Sequence, residues 1–578
     1  MDKKSYCIAW LMLLFVGSLH AQYRTTTYCN PLNLDYTYPF HNSHLGKSYR
    51  SGADPAVVEL RGAYYMFVTR SWGSWHSKDL LNWDSLPPEK WYFEGCNAPA
   101  AHNYKDSVLY VCGNPSGAMS ILYTDNPKRG DWKAVPSVLH DLQDPALFID
   151  DDERAYMYWG SSNRWPIRGK ELDMKNKFLP IAKKPDSLLF LRPDIHGWER
   201  FGENHTSDIK PFIEGAWMTK HNGKYYLQYA APGTQFNVYG DGVYVGKSPL
   251  GPFEYAAHNP FCYKPGGFAT GAGHGSTVCG PGGIYWHFGT IHLSINYKFE
   301  RRLCMFPTFF DEDGAMYSDT YFGDYPHYSP DQVSRQTTSG GFRGWMLLSY
   351  GKPVKASSQL ESYPVENVTD ENLKTFWVAE KNDDKQWVEI DLEEVSDVYA
   401  LQLNFFDYEE TGFWGRMPNL RQRYLVEASV DGARWRVLVD YRNSFRDAPH
   451  NYIELDQPIE ARYIRYRHHY VPGKNLAMGD IRVFGLGRGK KPATVKGFTV
   501  VREADERNAR ISWKAVKGAQ GYNVLWGVAL DKLYSSWMVY GDNSLDLRAL
   551  TVGQKYYFAI ESFNENGISQ RVFLREAH

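Results

Sequence analysis

Between residues 22 and 330 apolar positions do not recur at helical spacing; short runs of Tyr, Phe, Val and Trp alternate with turns of Gly, Pro, Asn and Asp. That pattern predicts an all-β domain of many short strands. A loose repeat runs through it. One unit opens "ADPAVVELRGAYYMFV" and closes "WHSKDLLNW", another opens "QDPALFIDDDERAYMYWG", and a third opens "IEGAWMTKHNGKYYLQYA" and closes "YVGKSPLGPF". Weaker copies open at "NAPAAHNYKDSVLYVCG" and "GHGSTVCGPGGIYWHFG". Five units spaced by roughly 45 to 70 residues predict a five-bladed β-propeller over residues 22–332, because each small sheet can bury its faces only against its neighbours.

Beyond it the pattern changes twice. "SPDQVSRQTTSGGFRGW" reads as a polar, glycine-containing linker, placed at 333–350. Residues 351–487 then carry longer alternating strands, "QWVEIDLEEVSDVYALQLNFF" and "YLVEASVDGARWRVLVDY", as a β-sandwich requires. After "GLGRGKKPATVKG", residues 493–578 form a last unit, where Trp513, the strand around Tyr522 and Trp526, and Tyr556 six residues after Leu550 suggest a small sandwich with a tyrosine corner.

In a propeller the first residues of each blade converge on the central axis. Here these are Asp54, Asn97 or Ala98, Asp144, Glu214 and His274. Three carboxylates at one pocket admit metal binding or acid/base hydrolysis. Cleaving a glycosidic bond needs a protonated acid for the leaving oxygen and a second carboxylate to activate water or attack carbon. Glu214, flanked by Ile213, Ala216 and Trp217, suits the acid, since apolar neighbours disfavour its ionised form. Asp54, between Ala53 and Pro55 with a Gly before, reads as more solvated and suits the base, and Asp144 supplies a like charge that would keep Glu214 protonated.

Composition narrows the partner. A formal net charge of −2 argues against nucleic acid and membrane surfaces, whereas 16% aromatic residues, with 19 Trp and 42 Tyr, suit either a carbohydrate partner or simply an all-β chain. The opening "MDKKSYCIAWLMLLFVGSLHAQ" reads as a secretory signal peptide over residues 1–21, giving an exported protein, periplasmic or secreted, with no membrane insertion. Cys29, Cys96, Cys112, Cys262, Cys279 and Cys304 follow it at irregular spacings that require no disulfide, and the absence of a CxxC pair argues against a cysteine zinc site.

The openings "ADPAVV", "QDPALF" and "IEGAWM", in that order and with "GHGSTV", closely resemble glycoside hydrolase family 43, over roughly residues 30 to 325. The resemblance implies Asp54 as general base, Asp144 as the residue that tunes the acid and orients substrate, and Glu214 as general acid. It also implies inversion, with the two carboxyls about 6.5 to 9.5 Å apart. His274 is implied beside a hydrated ion, often calcium, on the axis, or else it hydrogen-bonds neighbouring backbone; no cofactor is required for the chemistry itself. Trp75 and Trp159 follow strand segments where they would wall the sugar subsite or pack, and Arg301 or Arg302 would reach the pocket or be solvated. Many members have Trp before Ala-Pro at the second opening; here Cys96 and Asn97 precede Ala98 and Pro99, which alters a pocket wall.

The second unit resembles the discoidin, or F5/8 type C, sandwich used as carbohydrate-binding module family 32, through "DENLKTFW", "QWVEIDL" and "SVDGARW". Many such modules hold calcium by the turn near Asp370. "SVDGARW" also matches the Asp box of sialidases, but a single copy outside the propeller speaks against that activity. The last unit resembles a fibronectin type III domain, usually a spacer or docking module. The expected protein is thus an exported exo-glycosidase releasing terminal L-arabinofuranose from plant polysaccharide or oligosaccharide. A β-xylosidase or an exo-β-galactanase is the alternative on the same scaffold, and a non-catalytic glycan-binding protein is the alternative of another class.

Overall fold

The computed structural model describes residues 25–39, 46–87, 96–114, 118–137, 139–140, 142–182, 184–333, 341–417 and 419–574. The expected signal peptide lies outside the described residues. Five antiparallel sheets follow one another along the first part of the chain. Ala56–Leu60, Ala63–Phe67, Ser74–Ser77 and Asp84–Leu86 form the first. The other four begin with Asn97–Tyr104, Ala146–Ile149, Glu214–His221 and Gly273–Cys279. These first strands touch one another in turn, and that of the fifth sheet touches that of the first, so the ring closes as the repeat predicted. Thr27–Tyr28 pairs with His327–Tyr328 beside the closure.

Blade openings share a backbone device. Asp54, Ala98, Asp144, Gly215 and His274 have φ of 56°, 42°, 48°, 68° and 51°. An L residue in that region costs about 1–2 kcal/mol, and the same bend recurs in every blade. In the second, fourth and fifth blades a register shift follows, between Asn97 and Ala100, Glu214 and Trp217, and Gly273 and Ser276. Bulges of this kind re-aim side chains at strand ends, here toward the axis.

The second unit is built on two long strands, Trp387–Phe405 and His450–Tyr470, within one eight-stranded sheet system. The supposed linker is partly strand. Met346–Leu347 pairs with Gly485 and Phe484, and Trp345 to Leu348 are buried, so the apolar run "WMLL" belongs to the sandwich. The last unit has two sheets, and the Tyr556 hydroxyl accepts the Thr551 amide at 3.2 Å, the tyrosine-corner contact expected there. It is not held away as a spacer: Val524, Trp526 and Ile560 share a core with Trp198 and Tyr263 of the propeller.

All three units meet at one buried ion pair. Arg482 clasps Glu371 through two hydrogen bonds of 2.7 and 2.9 Å, with both side chains 0% exposed. Its remaining nitrogen donates to the Asp324 carbonyl of the propeller, and Tyr540 of the last unit reaches Glu371 at 3.3 Å. The guanidinium spends its donors across domains, which fixes their mutual placement.

Candidate active site

Asp54, Asp144, Glu214 and His274 come together from four blades. The Asp54 carboxylate accepts the Thr69 hydroxyl at 2.6 Å and lies 3.4 Å from both Arg301 Nη1 and His274 Nδ1. Burial pushes its pKa up, but Arg301, His274 and Thr69 outweigh burial and hold it below the ordinary carboxylate value. Asp54 is therefore ionised at neutral pH although it is buried rather than solvated.

Glu214 accepts two hydrogen bonds: Tyr239 donates to Oε1 at 2.6 Å and Ser161 to Oε2 at 3.0 Å. Tyr239 is buried, and burial first, then Glu214 and Asp54, raise its pKa far above the usual phenol range, so it stays a donor. The elevated carboxyl is Asp144. Burial, then the charges of Glu214 and Asp54, raise it to about 7 against the pull of His274. Ser161 also hydrogen-bonds Asp144 and thus lies between the two carboxyls.

His274 is fixed from behind. Its amide and that of Gly275 donate to the two oxygens of buried Asp241, at 2.7 and 2.9 Å, and His287 Nε2 meets the same carboxylate at 3.1 Å. Gly215 lets the ring approach, since a Cβ there would sit 3.0 Å from His274 Cγ and 3.1 Å from its Cα. Burial opposes charge on the imidazole, but Asp54, Asp144, Glu214 and Asp241 overcome it and raise the pKa.

Atoms of Asp144, Glu214 and His274 lie within 4.8 Å of one another, close enough to share an ion. Calcium, however, takes six to eight oxygen ligands, and metal-bound imidazole must be neutral. Two carboxylates and one imidazole supply too few oxygens for a direct calcium site here. The turn at Asp370 fits better. Asp480 Oδ2 is buried without a hydrogen-bond partner, and burial, then Glu371 and Asp370, push this carboxyl far above its ordinary range. A bound cation would relieve both.

Trp75 is a correction. It is 0% exposed within a strand buried along its length, its indole donates to Asp35 at 2.5 Å, and Arg416 lies 3.8 Å over the ring. It packs between the blade and the second unit and cannot meet a sugar. Trp159 ends Ala155–Trp159, partly buried against the propeller core and two residues before Ser161. Arg301 and Arg302 diverge because successive strand residues face opposite ways. Arg301 reaches Asp54, while Arg302 is buried and donates to His450 of the second unit at 2.8 Å. Asn97 takes the Arg70 guanidinium at 2.9 Å, so the altered second opening is tied to the first blade. Thr69, Ser161, Tyr239 and Asp241 escaped sequence reading; they sit one strand or one loop away from the openings, and no motif marks them.

Fold and site together define a five-bladed propeller with a tricarboxylate pocket. Residues 49–316 match Glycosyl hydrolases family 43 and residues 353–478 match the F5/8 type C domain, so the chain carries a domain of each. It is 25% identical over 333 residues to an arabinoxylan arabinofuranohydrolase of Bacillus subtilis, covering 46% of this chain and 60% of that one. It is 33% identical over 133 residues to a β-xylosidase of Xylanibacter ruminicola, covering 19% of this chain and 39% of that one. The chain thus spans less than two thirds of the length of each of these relatives. A solved thermostable family-43 glycoside hydrolase aligns over 53% of this chain and 100% of its own, at 21% identity and a TM-score of 0.43. No helix among the described residues is long and apolar enough to cross a membrane.

Proposed function

We propose that the chain is an inverting exo-glycosidase that removes terminal arabinofuranose from plant cell-wall glycans. One observation carries this: carboxylates from three separate blades meet at one pocket, where Arg301 and His274 stand beside Asp54 and hold it ionised while burial beside Glu214 raises Asp144. In the reaction Asp54 takes a proton from a water that attacks the anomeric carbon. Glu214 gives a proton to the departing glycosidic oxygen as the carbon–oxygen bond breaks. Asp144 and Glu214 share one proton, which Glu214 passes to the leaving oxygen, and Tyr239 holds the acid in place. His274 serves as the counter-charge that lets three carboxylates share one pocket.

Support for the sugar comes from the arabinofuranohydrolase relatives, while a xylosidase relative favours xylose as the second reading. The test is monosaccharide release from arabinan, arabinoxylan, arabinogalactan and pectic fragments, with Glu214→Ala as control. Loss of general acid catalysis should cost about 10² to 10⁴ in rate. Arabinose from the wild type alone supports the proposal; xylose replaces the specificity, and release of no sugar refutes the hydrolase reading.

A further inference from the structure

The short segment that carries Ser161 does more than hold Glu214. Ser162 and Ile213 exchange backbone hydrogen bonds, each 3.0 Å, so this loop is stapled to the residue preceding the acid. The Ser162 hydroxyl then accepts the amides of Arg164 and Trp165 at 3.0 and 3.1 Å, a turn that projects the next side chains outward. Trp165 is 63% exposed, and Arg168 lies 5.3 Å from its ring centroid. Phe190, 54% exposed, lines the same groove, whose floor includes Pro211 and Ile213.

A large exposed indole needs a reason in an otherwise well-packed blade. Trp165 is four residues from Ser161, so at most about 14 Å of chain separates it from the hydroxyl that touches the acid. Ser162 and Ile213, which line the groove, each adjoin a residue of the pocket, Ser161 and Glu214, so the groove runs out from beside that pair. Its charge is informative too: Arg164 and Lys210 both line it and make no ion pair among the described residues, whereas Arg192 nearby is taken by Asp194 at 2.9 Å. Flat sugar faces stack on indole, and an unpaired cation pair favours carboxylate.

Resting on the hydrolase reading above, we infer that this groove is the leaving-group subsite and that it takes a glycan chain bearing uronic acid. Trp165 and Phe190 are its stacking surface; Arg164 and Lys210 read the carboxylate. The occupant is the substrate's own continuation beyond the cleaved sugar.

Two measurements test it. Hydrolysis is compared on an aryl arabinofuranoside, a neutral arabinosylated xylo-oligosaccharide and its uronate-bearing counterpart, for wild type, Trp165→Ala and Arg164→Gln/Lys210→Gln. Binding of the two oligosaccharides is measured by calorimetry on Glu214→Ala with and without Trp165→Ala. The expected result is that Trp165→Ala lowers kcat/KM about tenfold on both oligosaccharides and by a smaller factor on the aryl glycoside, whose leaving group fills only the start of the groove. The double charge variant should lose about two- to fivefold on the uronate substrate alone, and less at high salt. Equal losses on the aryl glycoside, no loss on oligosaccharides, or no wild-type preference for uronate overturns the inference. If the wild type hydrolyses nothing, the hydrolase reading fails by itself, and Trp165-dependent binding of the uronate oligosaccharide still decides the groove.

Discussion

Replacing Arg301 by Gln removes the permanent cation beside the proposed base while retaining a side chain of similar reach. The two charges stand 3.4 Å apart, which at an effective dielectric of about 20 corresponds to roughly 5 kcal/mol of unscreened attraction. Water entering the vacated space weakens this, and an aspartate beside an arginine is typically depressed by about 1 to 3 pKa units. His274 and Thr69 remain, so burial is only partly unopposed after the change. The sign follows: Asp54 acts as an ionised base, its pKa rises without Arg301, and the acidic limb of kcat/KM must move to higher pH by about 1 to 3 units. Activity well above that limb should fall far less than activity below it. The assay is kcat/KM on an aryl arabinofuranoside across the pH range, with Arg301→Lys as the variant that restores charge. If the limb stays put in Arg301→Gln while KM alone rises, Arg301 holds the sugar and the account of Asp54 is wrong.

Arg482→Met should destabilise the chain by about 3 to 5 kcal/mol, because it strands the Glu371 carboxylate in a site with no solvent exposure. Urea unfolding measures this, and adding Glu371→Leu should recover most of the loss; a shift within that of a surface substitution refutes the role given to the pair. Calcium should raise Tm through the second unit, by about 2.7 kcal/mol of stabilisation when present at a hundred times its Kd. Chelation should reverse the gain and Asp480→Asn should remove it, while a gain that persists in Asp480→Asn places the ion elsewhere.

Much of the architecture was written in local pattern. Alternation bounded by turns located all five blades, and the innermost position of each blade's first strand was enough to nominate Asp54, Asp144, Glu214 and His274 before any geometry. What failed depended on contacts between distant segments. Trp75 has the composition of a sugar platform, yet Arg416, hundreds of residues away, covers it. The hydrogen bonds that hold Glu214 were invisible for the same reason. In space Glu214 receives Tyr239 and Ser161, and Asp144 carries the burden of burial. The "WMLL" strand was hidden for a similar reason: its partners, Phe484 and Gly485, lie at the far end of the sandwich.

The left-handed bend at each blade opening turns the propeller into a holder with five interchangeable sockets. Each socket is formed by backbone that its own blade enforces; four of the five carry a side chain there, and only at Gly215 does a neighbouring ring take the space. Three sockets or their immediate neighbours now hold carboxylates, one holds an imidazole, and one, at Ala98, holds almost nothing. New chemistry at this axis can therefore arise one letter at a time, without a new strand, a new loop or a new core.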